Sequence, residues 1–323
     1  MGAATLRVGQ NPAKFVQGVT RPQRVTVAVL TCIPALKGFH AQALDVLNAC
    51  LDSLWTHTSP DHDLMVFDNG SGPETVAYLL EAHQAGRIQY LTLSEKNLGK
   101  GGAWNQIFTS APGEILAYTD SDAEFSPGWL EDSLKILETY PKVGMVTSRP
   151  FRTPPEFYGA TLAWAEAHPD VQIERGSHIP WEDFRDFDLS LGQDEVDIRA
   201  RYESTEDIRL TYRDTQAFVG ASHWQFVAHT SVLRGFVPFD MDRPMGQVRD
   251  LDRRMDAEGY LRLMTARPLA MNMSNTLNPL PKQGQAKKPA RGGGLWRRVL
   301  EIGIVRRLLL GLYDRVFRWY FVD

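Results

Sequence analysis

The sequence predicts an α/β protein built on a mainly parallel sheet with helices on its faces. Three observations point there. Short β-branched or apolar runs alternate with helical stretches through the first half of the chain, which is the pattern of βαβ units. Polar residues collect just after four successive apolar runs, where ligands of open α/β sheets bind. Finally, 323 residues with 43% hydrophobic and 23% charged side chains have the balance of a folded soluble protein, not a disordered one.

The elements follow in order. Residues 1–23 carry Pro12, Gly18 and Pro22 and read as a loose arm. Residues 24–31 (RVTVAVLT) are a buried strand. Residues 41–55 place Leu44, Val46, Leu47, Leu51 and Leu54 near helical spacing. A second strand, 63–68 (DLMVFD), stops at the turn Asn69-Gly70-Ser71-Gly72, and a helix follows over 73–85. Strand 88–93, helix 101–109, strand 115–120 (ILAYTD), helix 127–139 and strand 143–148 continue the alternation. Residues 151–215 mix aromatics with a dense acidic run (Glu182, Asp183, Asp186, Asp188, Asp194, Glu195, Asp197) and show no simple period. That stretch is either an insertion beside the site or an irregular solvated decoration. Strand 223–229 and a short helix over 250–259 return to order. Residues 281–294 are a Gly-, Lys- and Pro-rich linker.

Composition excludes several classes. Cys32 and Cys50 are too few for a disulfide framework or a four-thiolate zinc site. The first residues lack an apolar core, so no signal peptide or anchor is expected, and no run of about 18 uncharged apolar residues reads as a membrane span. The formal charge of −4 is unevenly spread. Residues 281–323 hold ten basic and three acidic side chains, which leaves −11 on the remainder. An acidic body argues against a nucleic-acid binder, and a basic tail argues for contact with something negative, a lipid surface or the body itself.

The polar clusters at the strand ends are Thr31, Asp68-Asn69, Asn97 and Asp120-Ser121-Asp122. One such cluster is ordinary turn chemistry; four in succession, two of them acidic, favour a site. Asp120 and Asp122 repel each other at the rim, and a hard divalent ion relieves that repulsion. Such an ion also neutralises a diphosphate and improves it as a leaving group.

VTVAVLT, VFDNGSG, NLGKGGAWN, YTDSDAEFSPGWLE and DLDRRMDAEGY occur here in one order. Over roughly residues 24–275 the chain resembles a family 2 glycosyltransferase of the GT-A fold. The resemblance implies a nucleotide-diphospho-sugar transferase fold and an inverting, metal-dependent transfer of sugar to an acceptor hydroxyl. It implies a catalytic domain over 24–280, with 151–215 on the acceptor side. By the same resemblance Thr31 and Cys32 lie under the nucleobase and Asp68 bonds the base or ribose. Asn97, Gly99, Lys100 and Gly102 form the loop beneath the nucleotide, with Asn105 in the helix after it. Asp120 would face the ribose or metal, and Asp122 would ligate Mn²⁺ or Mg²⁺. The donor implied is a nucleoside-diphosphate sugar, most often of uridine.

Members of the family usually carry Glu-Asp, then a further acid, ahead of Gly-Tyr. Here Arg249 precedes Asp250-Leu251-Asp252, and counting back from Gly259 reaches Gln247-Val248, which has no acid. Asp250 is the first candidate for the base, with Asp252 second. The family's later histidine is missing beyond His229, leaving Asn272 and Asn275 as the nearest polar candidates.

Residues 295–323 read as a basic amphipathic helix, with Arg307, Gly311, Asp314, Arg315 and Arg318 on one face and Leu308, Leu309, Leu312, Trp319 and Tyr320 covering much of the rest. The expectation is a cytoplasmic enzyme, peripheral on the inner face of a membrane and acting on a lipid-linked or cell-surface glycan. The alternatives are a helix packed on the body or on another copy of the chain, a retaining enzyme, and a degenerate GT-A module that binds nucleotide or scaffolds a complex. A sugar-phosphate nucleotidyltransferase fits less well, because TCIPALKGFH offers only Lys37 and Gly38 where that class has a glycine-rich basic segment.

Overall fold

A computed structural model describes residues 9–16, 18–242 and 246–277. The expected linker at 281–294 and the tail helix at 295–323 lie outside the described residues. The βαβ alternation is built as β1 (Val25–Thr31), α1 (Ala43–His57), β2 (His62–Asn69), α2 (Pro73–Gln84), β3 (Tyr90–Ser94), α3 (Gly99–Ser110) and β4 (Ile115–Asp120). Then come β5 (Ala123–Phe125), α4 (Trp129–Thr139) and β6 (Val143–Thr147).

The stretch without a simple period, 151–215, is built of regular elements. It holds α5 (Gly159–Ala167), β7 (Gln172–Gly176), α6 (Trp181–Ser190), α7 (Glu195–Ser204) and β8 (Asp207–Tyr212). β9 (Thr215–Val219) follows, then β10 (Gln225–His229), α8 (Thr230–Arg234), α9 (Gln247–Ala257), β11 (Leu261–Met264) and β12 (Ala270–Asn272). The helix read from residue 250 therefore starts three residues earlier.

Ten strands form one sheet in the order β3-β2-β1-β4-β10-β6-β11-β9-β8-β7. β1 pairs in parallel with β2 and β4, β2 with β3, and β6 with β11, whereas β10, β9 and β7 run against their neighbours. The sheet is thus α/β and mainly parallel, as expected.

β1 is buried along its whole length, which explains its unbroken β-branched and apolar run. Its side chains alternate between two cores. Val25, Val27 and Val29 join Leu47, Leu51 and Leu54 of α1, while Ala28 and Leu30 join Trp104 and Phe108 of α3 and Leu251 and Met255 of α9. The parallel register sets Thr31 beside Asp68 and Leu30 beside Asp120. The carboxyl ends of β1, β2 and β4 therefore meet on one edge.

Ion pairs pin the β7–β9 extension. Asp207 is buried, accepts from Arg152 Nε at 2.7 Å and takes the backbone amides of His178 and Ile179 on its other oxygen. Arg201 closes on the buried Asp188. β7 is largely exposed and α7 buries only Ile198, so neither shows an apolar period. That is why sequence patterning missed them.

Candidate active site

The first wall of the cleft is the turn after β2. Asp68 Oδ2 accepts from the Ser71 amide at 3.2 Å, and Ser71 Oγ accepts from the Ile33 amide at 2.8 Å. Asp68 Oδ1 is buried with no protein partner, and Thr31 Oγ1 beside it is the same. Orphaned buried polar atoms are costly unless something fills the space next to them. Gly70 has φ +89° and a Cβ there would stand 3.0 Å from the Asn97 amide, so the turn requires glycine. Burial and the neighbouring Asp68 charge push the Cys32 thiol up.

The Asn97 loop is braced from beneath. Asn69 donates to Asn97 Oδ1 at 3.0 Å and accepts from the Leu98 amide at 2.8 Å, and Asn97 Oδ1 also takes the Gly99 amide at 2.8 Å. Two residues of the expected loop have other duties. A Cβ on Gly102 would fall 2.8 Å from Leu98 Cβ and 2.9 Å from Met241 Cε, so packing explains this glycine. Asn105 is bound on both amide atoms by the backbone of Phe239, at 2.9 and 2.7 Å, which corrects its assignment to the nucleotide.

Lys100 does reach the rim, but its partner is protein. Its Nζ lies 2.6 Å from Asp120 Oδ2, and Tyr118 donates to Asp120 Oδ1 at 2.5 Å. Asp120 is therefore held on both oxygens. Asp122 differs. Its Oδ1 is buried without a partner. Burial first, then the Asp120 charge, push its carboxyl up to about 6, against the opposing pull of Lys100 and a hydrogen bond from Asn272.

A two-stranded ribbon positions Asp122. β5 follows it directly and pairs antiparallel with β12, setting Asn272 opposite Ala123, and the Met273 amide donates to the Asp122 carbonyl at 2.7 Å. Two cavities meet here. One, about 380 Å³, touches Cys32, Asn97, Lys100 and Asp120; the other, about 890 Å³, touches Leu189, Gly192, Met271 and Asn272. Phe39, Asp122 and Ser274 line both. Sequence reading missed Phe39, Ser274, Tyr118 and the α6 end. Tyr118 lay inside a quoted motif and Phe39 inside the quoted segment TCIPALKGFH.

The two candidate bases separate. Asp250, in the first turn of α9, lies 3.6 Å from Arg253 with about half its side chain exposed (48%). Asp252 is buried and engaged on both oxygens, by Arg262 at 2.5 Å and by His223 Nδ1 at 3.2 Å. Arg262 is fully buried and also donates to the Phe157 and Ala221 carbonyls. This corrects Asp252: its carboxylate is an interior ion-pair partner, not an open base. Asn275 donates to the Phe39 carbonyl at 2.9 Å.

The arrangement suits an anionic ligand carrying a cation: a carboxylate with one buried oxygen lacking a hydrogen-bond partner, a lysine on the neighbouring carboxylate, and a roomy two-part cleft at the strand ends. No group of three or more His, Cys, Asp or Glu that could hold a metal gathers among the described residues. The donor set fits a hard ion that takes one or two carboxylates and fills its other positions with phosphate oxygens and water.

Fold and site together define an α/β protein with a two-part cleft at the carboxyl ends of its parallel strands. Residues 32–181 match the family described as glycosyl transferase family 2. A protein of Nostoc sp. described as an uncharacterized glycosyltransferase is 25% identical over 100 residues, 31% of each chain. Among solved structures, the chain is similar to the mannosyltransferase PcManGT from Pyrobaculum calidifontis in complex with GDP-Man and Mn²⁺ (20% identity, 77% of this chain and 56% of that one, TM-score 0.43). It is also similar to S. aureus TarS 1-349 (15%, 75% and 57%, 0.41) and to GalNAc-T7 with UDP, GalNAc and Mn²⁺ (10%, 78% and 44%, 0.48). The chain spans about a third of the curated relative's length and about half of these structures' length. The family match ends before His223, Asp250, Asp252 and Asn272.

Proposed function

We propose that the protein is a GT-A glycosyltransferase that moves a sugar from a nucleoside-diphosphate sugar to an acceptor hydroxyl. The observation that carries this reading is Asp122. A buried carboxylate oxygen without a partner stands where two cavities join, on a family 2 segment. Asp68 and Thr31, with their own orphaned oxygens, are placed to receive the donors of a base or ribose. Asp122 would hold Mn²⁺ or Mg²⁺, with Asp120 beside it. Bound there, the ion supplies charge neutralisation of the departing diphosphate. Lys100 neutralises Asp120 from a site that is only 11% exposed, and would share its charge with a phosphate bound beside that carboxylate. The larger cavity would take the sugar and the acceptor. We further assign the reaction to displacement with inversion and the acceptor to a lipid-linked or surface glycan, the latter from the basic amphipathic sequence at 295–323.

The binding-module alternative is favoured by one observation, the engagement of Asp120 by Lys100 and Tyr118. A thermal-shift series with UDP and GDP, each with and without Mn²⁺, tests the donor reading. Stabilisation that needs both nucleotide and metal, and vanishes in Asp122→Ala, is the expected result. No response to either nucleotide would remove it. Release of nucleotide from the matching sugar donor then separates an enzyme from a module.

A further inference from the structure

The transferase reading needs a group to take the acceptor's proton, and counting back from Gly259 to where the family carries Glu-Asp reaches Gln247 and Val248, which leaves Asp250 as the acid of that turn. Resting on that reading, we propose that His223 is the base that takes this proton, with Asp252 as its positioning residue.

The turn that carries His223 is tied to the cleft. Ser222 and Gln225 bridge antiparallel, which puts His223 and Trp224 at the tip of a tight turn. The tip is fixed to the end of β4: Gln225 pairs with Thr119, and the Trp224 carbonyl accepts from the Asp120 amide at 2.8 Å. Thr147 Oγ1 takes the Ser222 amide at 2.8 Å and steadies the other side of the turn. His223 is thus one residue from a direct bond to the rim that holds the paired aspartates.

The ring has the partner a base needs. Its Nδ1 is 3.2 Å from Asp252 Oδ2, and the other Asp252 oxygen is locked by Arg262 at 2.5 Å. A carboxylate so held accepts from Nδ1–H and leaves the lone pair on Nε2. Side-chain exposure is 31% for His223 but 6% for Asp252 and 0% for Arg262, so only the imidazole of the three opens to solvent. Asp250, the remaining candidate, sits beside Arg253 on α9.

In the step, the acceptor O–H bond breaks and its proton goes to His223 Nε2. The oxygen forms a bond to the anomeric carbon as the bond from that carbon to the diphosphate oxygen breaks, its electron pair leaving on the nucleoside diphosphate. The imidazolium that forms faces the Asp252 carboxylate.

Three measurements on the full chain test this. UDP and GDP binding with Mn²⁺ is expected in wild type and, within twofold, in His223→Gln. Histidine-ring ¹⁵N spectra, with His223 assigned through that variant, are expected to show an Nδ1-protonated ring broadened by the Mn²⁺–nucleotide complex. Donor cleavage with water as acceptor, read as nucleotide release from UDP-glucose, UDP-N-acetylglucosamine and GDP-mannose, is expected to fall by about 100-fold in His223→Gln. In Asp252→Asn kcat is expected to fall with KM unchanged. A wild-type chain that binds neither nucleotide overturns the transferase reading itself. Nucleotide binding with a His223 signal untouched by Mn²⁺ overturns the base alone. So does cleavage at the wild-type rate in His223→Gln, and loss in Asp250→Asn would then return the role to Asp250.

Discussion

At the scale of the residue, Asp122 is a group the fold would rather keep neutral. Its carboxyl is raised from 3.8 to about 6 by burial and by Asp120. A raised acid contributes stability that is fully present below its unfolded value and is lost as pH rises through the folded one. Above pH 6 the ionised form therefore costs the fold on the order of 1–3 kcal/mol. Asp122→Asn is expected to melt above wild type at pH 8, with the gap narrowing toward pH 4, in paired thermal denaturation curves. The same variant should lose the Mn²⁺-dependent shift. A substitution that stabilises the empty protein and disables it is what a binding carboxylate gives.

At the scale of the element, the β5–β12 ribbon and the β7–β9 extension do different work. The ribbon carries Asn272 to Asp122, so Asn272→Ala removes a hydrogen bond from the carboxylate and frees the Ser274 amide that Asn272 Oδ1 accepts. Its Mn²⁺ affinity, titrated in the presence of the nucleotide that binds, is expected to drop several-fold while the melting temperature moves little. The extension depends on Asp207, buried among Arg152 and two backbone amides. Asp207→Ala leaves Arg152 uncompensated and is expected to cost about 3–5 kcal/mol in denaturant titration. α3 offers a packing test as well. Gly102→Ala forces Leu98 and Met241 aside and is expected to destabilise by about 1–3 kcal/mol.

At the scale of the whole molecule, what could be read beforehand follows from burial. β1, β2 and β4 announce themselves because both of their faces are buried under helices, and Asp68, Asp120 and Asp122 stand out because an apolar run stops at or just before them. What lay hidden is assembled at long range. Asn272 reaches Asp122 across 150 positions through strands of three residues, too short for any period. Gly102 and Asn105 carry residue types suited to a phosphate loop yet serve Leu98, Met241 and the Phe239 backbone, a distinction that only packing reveals. No described helix is long and apolar enough to cross a membrane, and the basic amphipathic sequence at 295–323, read as a helix, is the part proposed to meet lipid. Liposome flotation of the full chain against one ending at Gln283 is expected to lose the lipid-bound fraction in the shorter form. Equal flotation would assign that helix to the body or to a second copy.

The ribbon also sets a schedule for synthesis. The smaller cavity is lined mostly by residues before 130, but the strand that completes the wall around Asp122 is Ala270–Asn272. A domain folds as a unit, with synthesis running from the amino end. A nascent chain that stops short of residue 270 therefore leaves Asp122 without Asn272. The wall around Asp122 is complete only once that late strand has emerged. Ribosome-stalled chains released at successive lengths should acquire nucleotide binding in one step, at the length that frees β12.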